Sequence, residues 1–237
     1  MFEKTPTYEA AYIGKFPCHD DQLGVALGWA VKRATAHGSG ITVVAPSKSN
    51  FRDGALARLP RTIRQESWKT VRSTAGVVVA AWANDGALDK IDVMPNLKAM
   101  ILMPWVEAES LAWRQARGAV DILGVHSTPA LAGPNPVVAA ALESVTVMVN
   151  LSTGLAHPLD RPKAIWAFKL LRDAGYDWEP EVVKAWALAH GWRPDGANEL
   201  AEVAAGIKAR KALRGGTNPF APGAVDRWRA DATAEEA

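Results

Sequence analysis

Cysteine is almost absent from this chain, which has a single one, Cys18. An internal disulfide is therefore excluded, and the low cysteine content is typical of a protein from a reducing compartment. Long apolar runs are also lacking, because the segments 77–82 and 99–105 are far shorter than the roughly 20 residues of a membrane-spanning helix. The first residues, MFEKTPTYEAAYIGK, lack the apolar core of a signal peptide. We therefore expect a cytoplasmic protein that does not enter membranes.

The chain also lacks an excess of charge of either sign. The 27 basic and 25 acidic residues leave a formal net charge of only +2. A nucleic-acid-binding domain usually has a clustered basic surface and a strongly positive balance. The overall composition therefore does not support a nucleic-acid partner, although it does not exclude one.

Tryptophan is unusually frequent, with ten residues against only five phenylalanines. A buried indole needs an acceptor for its N–H group, so tryptophans often lie where two packed elements meet. We expect some of them at seams between domains or between subunits. This content is compatible with a homo-oligomer and equally with packing inside one chain.

The first part of the sequence predicts an α/β fold. Continuous apolar runs, typical of strands buried on both faces, occur at 10–14, 40–46, 77–82, 97–105 and 119–125. Helical patterns separate most of these runs, and strands that alternate with helices are typical of a parallel sheet with helices on both faces. We therefore predict a doubly wound, mainly parallel sheet of about five strands, Rossmann-like and three-layered, in a domain of residues 1–155.

The composition changes after this domain. From Pro158 onward no strand-like run is present, and helical patterns cover 161–174, 179–190 and 198–214. These patterns predict a small all-helical segment at 156–216. Residues 217–237 are rich in alanine, proline and charge, and we interpret them as a surface tail or as an arm that lies over a neighbour.

The predicted sheet indicates where a ligand would bind. In open parallel sheets, ligands bind beyond the carboxyl ends of the strands, where the strand order reverses. The residues that this rule selects are Lys15, His19, Ser47, Lys48, Ser49, Asn84, Asp85, Trp105, Glu107 and His126. The alternative interpretation is that these residues are ordinary polar loops at the end of a sheet.

The residue types in this set are typical of a site for a small anionic or nucleotide-like ligand. Lys15, Lys48 and the hydroxyl groups of Ser47 and Ser49 would hold an anion, helped by the first helix N-terminus. Trp82 or Trp105 would offer a stacking surface, and Asp85 or Glu107 a hydrogen-bond acceptor. The sequence lacks both the Gly-x-Gly-x-x-Gly fingerprint and the phosphate-loop lysine motif. It therefore predicts no particular cofactor and leaves open whether the protein is an enzyme.

The cluster Cys18, His19, Asp20 and Asp21 invites three interpretations. A neighbouring imidazole can help to hold a thiolate nucleophile, but adjacent residues rarely orient toward each other. The histidine and carboxylates could ligate a metal together with Asp85 and His126, but they do not fall at a recognised ligand spacing. The simplest interpretation is that Asp20 or Asp21 caps the following helix. The sequence therefore leaves any catalytic residue unidentified and predicts no metal site.

The helical segment offers a second hypothesis. The run 183–192, which reads VKAWALAHGW, resembles the small C-terminal domain of actinobacterial nucleoid-associated silencers, which has a similar Val-x-x-Trp-Ala-x-x-x-Gly run. In that family the run precedes an Arg-Gly-Arg loop that reads the minor groove, whereas this chain has Arg-Pro-Asp-Gly at 193–196. The resemblance implies an alternative function, a non-catalytic protein- or DNA-interaction protein that uses its C-terminal helices.

A basic helix end accompanies this run. Lys208, Arg210, Lys211 and Arg214 follow one another closely and could meet phosphate groups. The competing interpretation is a solvated helix end, where the helix dipole favours cations.

Overall fold

The computed structural model describes residues 8–106, 110–124 and 131–235. The chain divides into two units. We call its described residues up to 124 the α/β unit and its described residues from 131 onward the helical unit. The sequence prediction drew the boundary later in the chain, at residue 155.

The α/β unit contains a sheet of six parallel strands in the order β3-β2-β4-β5-β1-β6. The strands are β1 (Glu9–Tyr12), β2 (Gly40–Ala45), β3 (Arg64–Ser67), β4 (Gly76–Ala83), β5 (Ala99–Pro104) and β6 (Val120–Asp121). The predicted doubly wound parallel sheet is confirmed, and all five predicted strands are present. Strand β3 was not predicted, because its sequence, RQES, has no apolar run and it lies at the edge of the sheet.

Helices cover both faces of this sheet. They are α1 (Leu23–His37), α2 (Asp85–Asp92) and α3 (Leu111–Ala116). On one face, Ala26 and Ala30 of α1 pack with Val77 and Val79 of β4. On the other face, Leu88 of α2 and Trp113 of α3 pack with Val78 and Ala80 of the same strand. Alternate residues of β4 thus enter opposite cores, which explains its continuous apolar sequence.

The connections between strands create a switch point in the sheet. After β2 the chain runs over the α1 face, where Leu56 and Leu59 join the core. After β4 it runs over the opposite face, through α2. Because β2 and β4 are neighbours, their following loops diverge, and diverging loops leave a crevice beyond the carboxyl ends of the strands.

A buried polar cluster lies at the other end of the strands. The guanidinium group of Arg117 pairs with the carboxylate of Asp92 at 2.6 Å, and both side chains are almost fully buried. Tyr8, which directly precedes β1, donates its hydroxyl to Asp92 and accepts a hydrogen bond of 3.0 Å from the indole of Trp113. Burial, together with the negative charge of Asp92, raises the pKa of Tyr8 well above 10.0. This cluster joins β1, α2 and α3.

The helical unit consists of α4 (Pro136–Met148), α5 (Arg161–Asp173), α6 (Pro180–Ala189), α7 (Pro194–Lys208) and α8 (Ala224–Glu235). The all-helical segment predicted from the sequence is therefore present. Helix α4, which the prediction placed in the α/β domain, is part of this unit. Helix α8 lies in the predicted tail and packs against α4 through the buried Trp228. Proline occupies the first turn of α4, α5, α6 and α7, where a missing N–H group costs nothing.

Four tryptophans tie the segments of the helical unit together through their indole N–H groups. Trp178 donates to the carbonyl of Ala204 at 3.1 Å. Trp192 donates to the Thr146 hydroxyl at 2.9 Å, and Trp228 donates to the Ser144 hydroxyl at 2.8 Å. Trp166 donates to the carbonyl of Gly215 at 2.9 Å. None of the described helices of either unit combines the length and the hydropathy that a bilayer crossing requires.

Candidate functional site

An open cleft of about 420 Å³ lies at the carboxyl ends of the strands of the α/β unit. Its lining residues are Pro46, Asn50, Trp68, Trp82, Asn84, Trp105 and Val106. They come from β2, β3, β4 and β5 or from the loops that directly follow these strands. The volume lies within the roughly 300–1,000 Å³ of small-molecule sites. The cleft therefore lies where the divergence of the β2 and β4 loops predicts it.

Trp82 is held at this edge by an unusual backbone conformation. Its φ angle is 51°, and the pairing of β4 with β5 shifts register between Ala81 and Ala83. A bulky residue in the left-handed region costs energy that the surroundings must supply. The indole N–H donates to the carbonyl of Cys18 at 2.7 Å. Trp82 is thus anchored to the β1–α1 loop, and its hydrogen-bonding group is used within the protein.

Trp105 is the most open of the aromatic residues in the cleft. It follows β5 and is 52% exposed. The imidazole of His19 contacts it edge-to-face, with 6.1 Å between the ring centroids. An exposed indole of this kind offers apolar and π surface to a ligand at little cost in folding energy.

Trp68 is the third tryptophan of the cleft and lies directly after the edge strand β3. Its side chain is half-buried, and its indole nitrogen is buried with no acceptor among the described residues. A buried donor without a partner costs about 1–3 kcal/mol. Sequence reasoning missed Trp68 because the preceding strand has no apolar signal.

Two asparagines contribute the polar side chains of the cleft wall. The Oδ1 atom of Asn50 accepts hydrogen bonds from the backbone N–H of Ser47 at 2.9 Å and from its hydroxyl at 3.1 Å. The Oδ1 atom of Asn84 accepts a hydrogen bond of 3.0 Å from the backbone N–H of Ala87 and caps α2. Both amide groups are therefore oriented by the backbone.

The structure brings several of the predicted site residues together. Asn84 and Trp105 line the cleft, and His19 contacts Trp105. Ser47 binds Asn50, and its hydroxyl also pairs with that of Ser49. Lys48 is exposed in the same short turn, Lys48–Phe51, that contains Ser49 and Asn50.

Other predicted residues lie apart from the cleft wall or outside the described residues. Lys15 is exposed and pairs with Asp21 at 3.5 Å. Asp85 is the first residue of α2 and is half-buried beside Asn84. Glu107 and His126 lie outside the described residues.

Cys18 is placed as a core residue. Its side chain is buried among α1 and sheet residues. Burial, with a smaller contribution from the negative charge of Asp21, raises the pKa of the thiol from 9.0 to about 12. A thiol with so high a pKa stays protonated at neutral pH and is a poor nucleophile. The structure therefore gives no support to a nucleophilic Cys18.

The aspartates beside Cys18 do not cap α1, which corrects the sequence interpretation. They belong to a short 3-10 turn, Asp20–Gln22, that precedes the helix. The carboxylate of Asp20 instead accepts the backbone N–H of Ala55 at 3.0 Å, so it fastens the loop after β2. No group of three or more His, Cys, Asp or Glu side chains in the described residues is arranged to hold a metal ion.

The helical unit has a groove of its own, of about 600 Å³, which is larger than the cleft. Residues of α4 and α8 line it, together with residues 219–221. Two of its polar groups are used internally, since Trp228 binds Ser144 and Arg227 donates to the carbonyl oxygens of Pro222 and Ala221. The carboxylate-bearing residues Glu143 and Asp231 also line the groove.

The residues on which the second hypothesis depends are partly buried and partly exposed. Val183, Trp186 and Trp192 of the run that resembles the silencer domain are buried core residues. The ammonium group of Lys208 is engaged by Glu179 at 2.6 Å and by Asp177 at 3.1 Å. The three arginine and lysine residues that follow it are exposed, namely Arg210, Lys211 and Arg214.

The α/β unit thus belongs to the class of doubly wound parallel α/β folds with a cleft at the strand switch point. The helical unit is similar to a family described as "Domain of unknown function (DUF1889)", whose model matches residues 134–229. The matched region runs from the start of α4 into α8. Among curated proteins and solved structures, no match to the chain is found.

Proposed function

We propose that the α/β unit binds a small anionic, nucleotide-like ligand in the cleft at the carboxyl ends of its strands. One observation carries the proposal: three tryptophans from three different strand ends, Trp68, Trp82 and Trp105, line the same cleft at a switch point of the sheet. Ligand sites of doubly wound folds occur at this position. The proposal concerns binding and assigns no reaction.

The aromatic side chains would bind the planar part of the ligand. Stacking of a base on an aromatic side chain contributes about 1–3 kcal/mol, and it tolerates different bases because every base has a π face. Trp105 offers the most accessible surface, since it is 52% exposed. Trp82 has its N–H bound to Cys18 and would act through its ring alone.

The anionic part would bind at the turn after β2. Ser47, Lys48 and Ser49 lie in sequence beside Asn50, which lines the cleft. Lysine binds phosphate as a compact point charge, and serine hydroxyls can donate to its oxygens. Asp85, next to Asn84, would accept a hydrogen bond from a ligand hydroxyl. A cytoplasmic location, where nucleotides are abundant and a lone thiol stays reduced, accords with this function.

The test is a thermal-shift screen followed by calorimetry with nucleoside monophosphates and sugar phosphates. A ligand at a hundred times its Kd should stabilise the folded state by about 2.7 kcal/mol. We expect Trp105→Ala to weaken binding by at least about tenfold, because a stacking surface is lost. Lys48→Ala should weaken it by a smaller, salt-dependent factor.

Lys211→Ala is the matched control, because it removes a lysine that is also exposed but belongs to the helical unit. Its affinity should equal that of the wild type. Two results would refute the proposal: no stabilisation by any nucleotide, or unchanged affinity in both Trp105→Ala and Lys48→Ala.

A further inference from the structure

Helix α1 has an outer face that is poor in charge. Its inner face is formed by four buried residues, namely Leu23, Ala26, Ala30 and Ala34. Its exposed residues are Gly24, Val25, Gly28, Val31, Lys32, Thr35, Ala36 and His37. Among these, Lys32 is the only lysine, arginine, aspartate or glutamate, and Val25 and Val31 are 43% and 51% exposed. The solvent side of a helix normally carries charged and polar residues, so this face has the composition of a covered surface.

Two glycines of this face have no packing role within the described part of the chain. Gly24 and Gly28 lie about one helical turn apart, and a Cβ atom at either position would meet nothing within 4 Å. Glycine inside a helix is destabilising relative to alanine, so a single chain would gain stability from a larger residue at both positions. The distance between two packed helices depends on the side chains at their contact, so glycines here permit another helix to approach closely.

The charges along this face are complementary to those of a second copy in one direction only. Lys32 lies in the C-terminal half of the helix, and the exposed Asp21 lies directly before its first turn, where it pairs with Lys15 at 3.5 Å. If two copies of α1 run antiparallel, the ammonium group of each Lys32 approaches the carboxylate of the other copy's Asp21. A parallel pair would instead bring like charges together, which is unfavourable.

The uncharged residues also match in the antiparallel arrangement. A two-fold axis at Gly28 brings each residue level with the one that lies equally far from Gly28 on its other side. Val25 is then level with the second copy's Val31, and Gly24 leaves room for the stem of the second copy's Lys32. Such reciprocal contacts are the rule in two-fold dimers. We propose that the outer face of α1 packs antiparallel against the same face of a second copy, so that the chain forms a homodimer. This contact does not depend on nucleotide binding.

The first test is the mass of the full chain in solution. Sedimentation equilibrium from about 1 μM to about 1 mM covers the dissociation constants of weak and moderate dimers. The average mass should rise with concentration from that of one chain toward that of two. The mass of a single chain throughout this range overturns the proposal.

Gly28→Leu separates association from folding. The leucine side chain occupies the centre of the contact, so the Kd of the dimer should rise at least about tenfold. Within one chain the position is open and leucine is the better helix former, so denaturant unfolding of the monomer should show equal or higher stability. A dimer that keeps the wild-type Kd in this variant overturns the proposal.

Charge reversal tests the direction of the two helices. Lys32→Glu should raise the Kd about fivefold, because two ion pairs are lost and like charges meet. The double variant Lys32→Glu with Asp21→Lys reverses both charges and should restore the Kd to within about twofold of the wild type. Lys90→Glu is the matched control, since it makes the same charge change at an exposed lysine of α2, and it should leave the Kd unchanged. The antiparallel contact is refuted if the double variant associates as weakly as Lys32→Glu.

Discussion

The two units use the same number of tryptophans in different ways. Five tryptophans lie in the helical unit, at 166, 178, 186, 192 and 228, and five in the α/β unit, at 29, 68, 82, 105 and 113. In the helical unit, four of the five indole N–H groups donate to acceptors on other segments. In the α/β unit, three of the five gather at one cleft, and among these only Trp82 has an N–H bonded to another described residue.

This difference teaches that a high tryptophan content has no single meaning. A buried indole with a bonded N–H fixes the distance and angle between two segments, and so it stabilises a small helical core. An indole that is half-exposed at a strand end contributes little to folding and leaves its ring available. Mutation of a buried, hydrogen-bonded tryptophan should therefore reduce stability, whereas mutation of a half-exposed tryptophan in the cleft should reduce ligand binding.

The largest effect that we expect concerns Cys18, whose carbonyl anchors Trp82. Burial raises the pKa of its thiol from 9.0 to about 12, so at pH 8 the folded protein should react with iodoacetamide roughly a thousandfold more slowly than the unfolded chain. Between about pH 9 and about pH 12 the unfolded thiol loses its proton while the folded thiol keeps it, so stability should fall as pH rises. Mass spectrometry with and without denaturant measures the reaction. Equal rates would show that the β1–α1 loop opens readily.

Trp192→Ala should have the largest effect on stability. The side chain is 2% exposed, and its N–H is bound to Thr146. Removing a buried tryptophan typically costs about 3–5 kcal/mol. Denaturant unfolding followed by far-UV circular dichroism measures this loss. A loss below about 1 kcal/mol would contradict the structural role that we assign to the tryptophans of the helical unit.

Trp113→Phe should cost less, about 1–3 kcal/mol, because the ring volume is largely kept and the bonds to Tyr8 and Asp92 are lost. Trp113 resembles the tryptophans of the helical unit because it is buried and its indole N–H is bonded to other segments. The same denaturant measurement applies, with Trp29→Phe as a reference at a half-buried position. An equal loss of stability in Trp113→Phe and Trp29→Phe would show that the hydrogen bonds of Trp113 do not stabilise the fold.

Trp105→Ala should change stability least, by no more than about 0.5 kcal/mol, because the side chain is 52% exposed. The same variant is expected to lose nucleotide affinity. A destabilisation above about 2 kcal/mol would place Trp105 with the structural tryptophans, and the contrast between the two units would fail.

Much of the α/β fold was predictable from local sequence. Strands β2, β4 and β5 are continuous apolar runs because each is buried on both faces. Strand β3 was not predictable, since its polar residues suit an exposed edge and look like a loop. Helix α8 was interpreted as a tail because its sequence is highly charged, and among its residues 224–234 only Trp228 and two alanines, Ala224 and Ala232, are buried.

The candidate site was predictable only in outline. The rule that ligands bind at strand ends selected Asn84, Trp105 and the Ser47 turn, which lie at or beside the cleft. It did not select Trp68, because that required knowing of β3. The helix-cap interpretation of the aspartates beside Cys18 was wrong, because the Asp20 carboxylate accepts a hydrogen bond from the backbone N–H of Ala55, which is distant in sequence.

By itself, the amino-acid sequence determined the class of fold and the ends of many helices, because burial patterns and the backbone preferences of proline and glycine act over a few residues. The tertiary structure alone decided the strand order, and with it which loops meet around the cleft. It also decided the exposure of each tryptophan and which strand ends place an amide group on the cleft wall. These properties depend on contacts between residues that are distant in sequence, and local residue patterns do not predict such contacts.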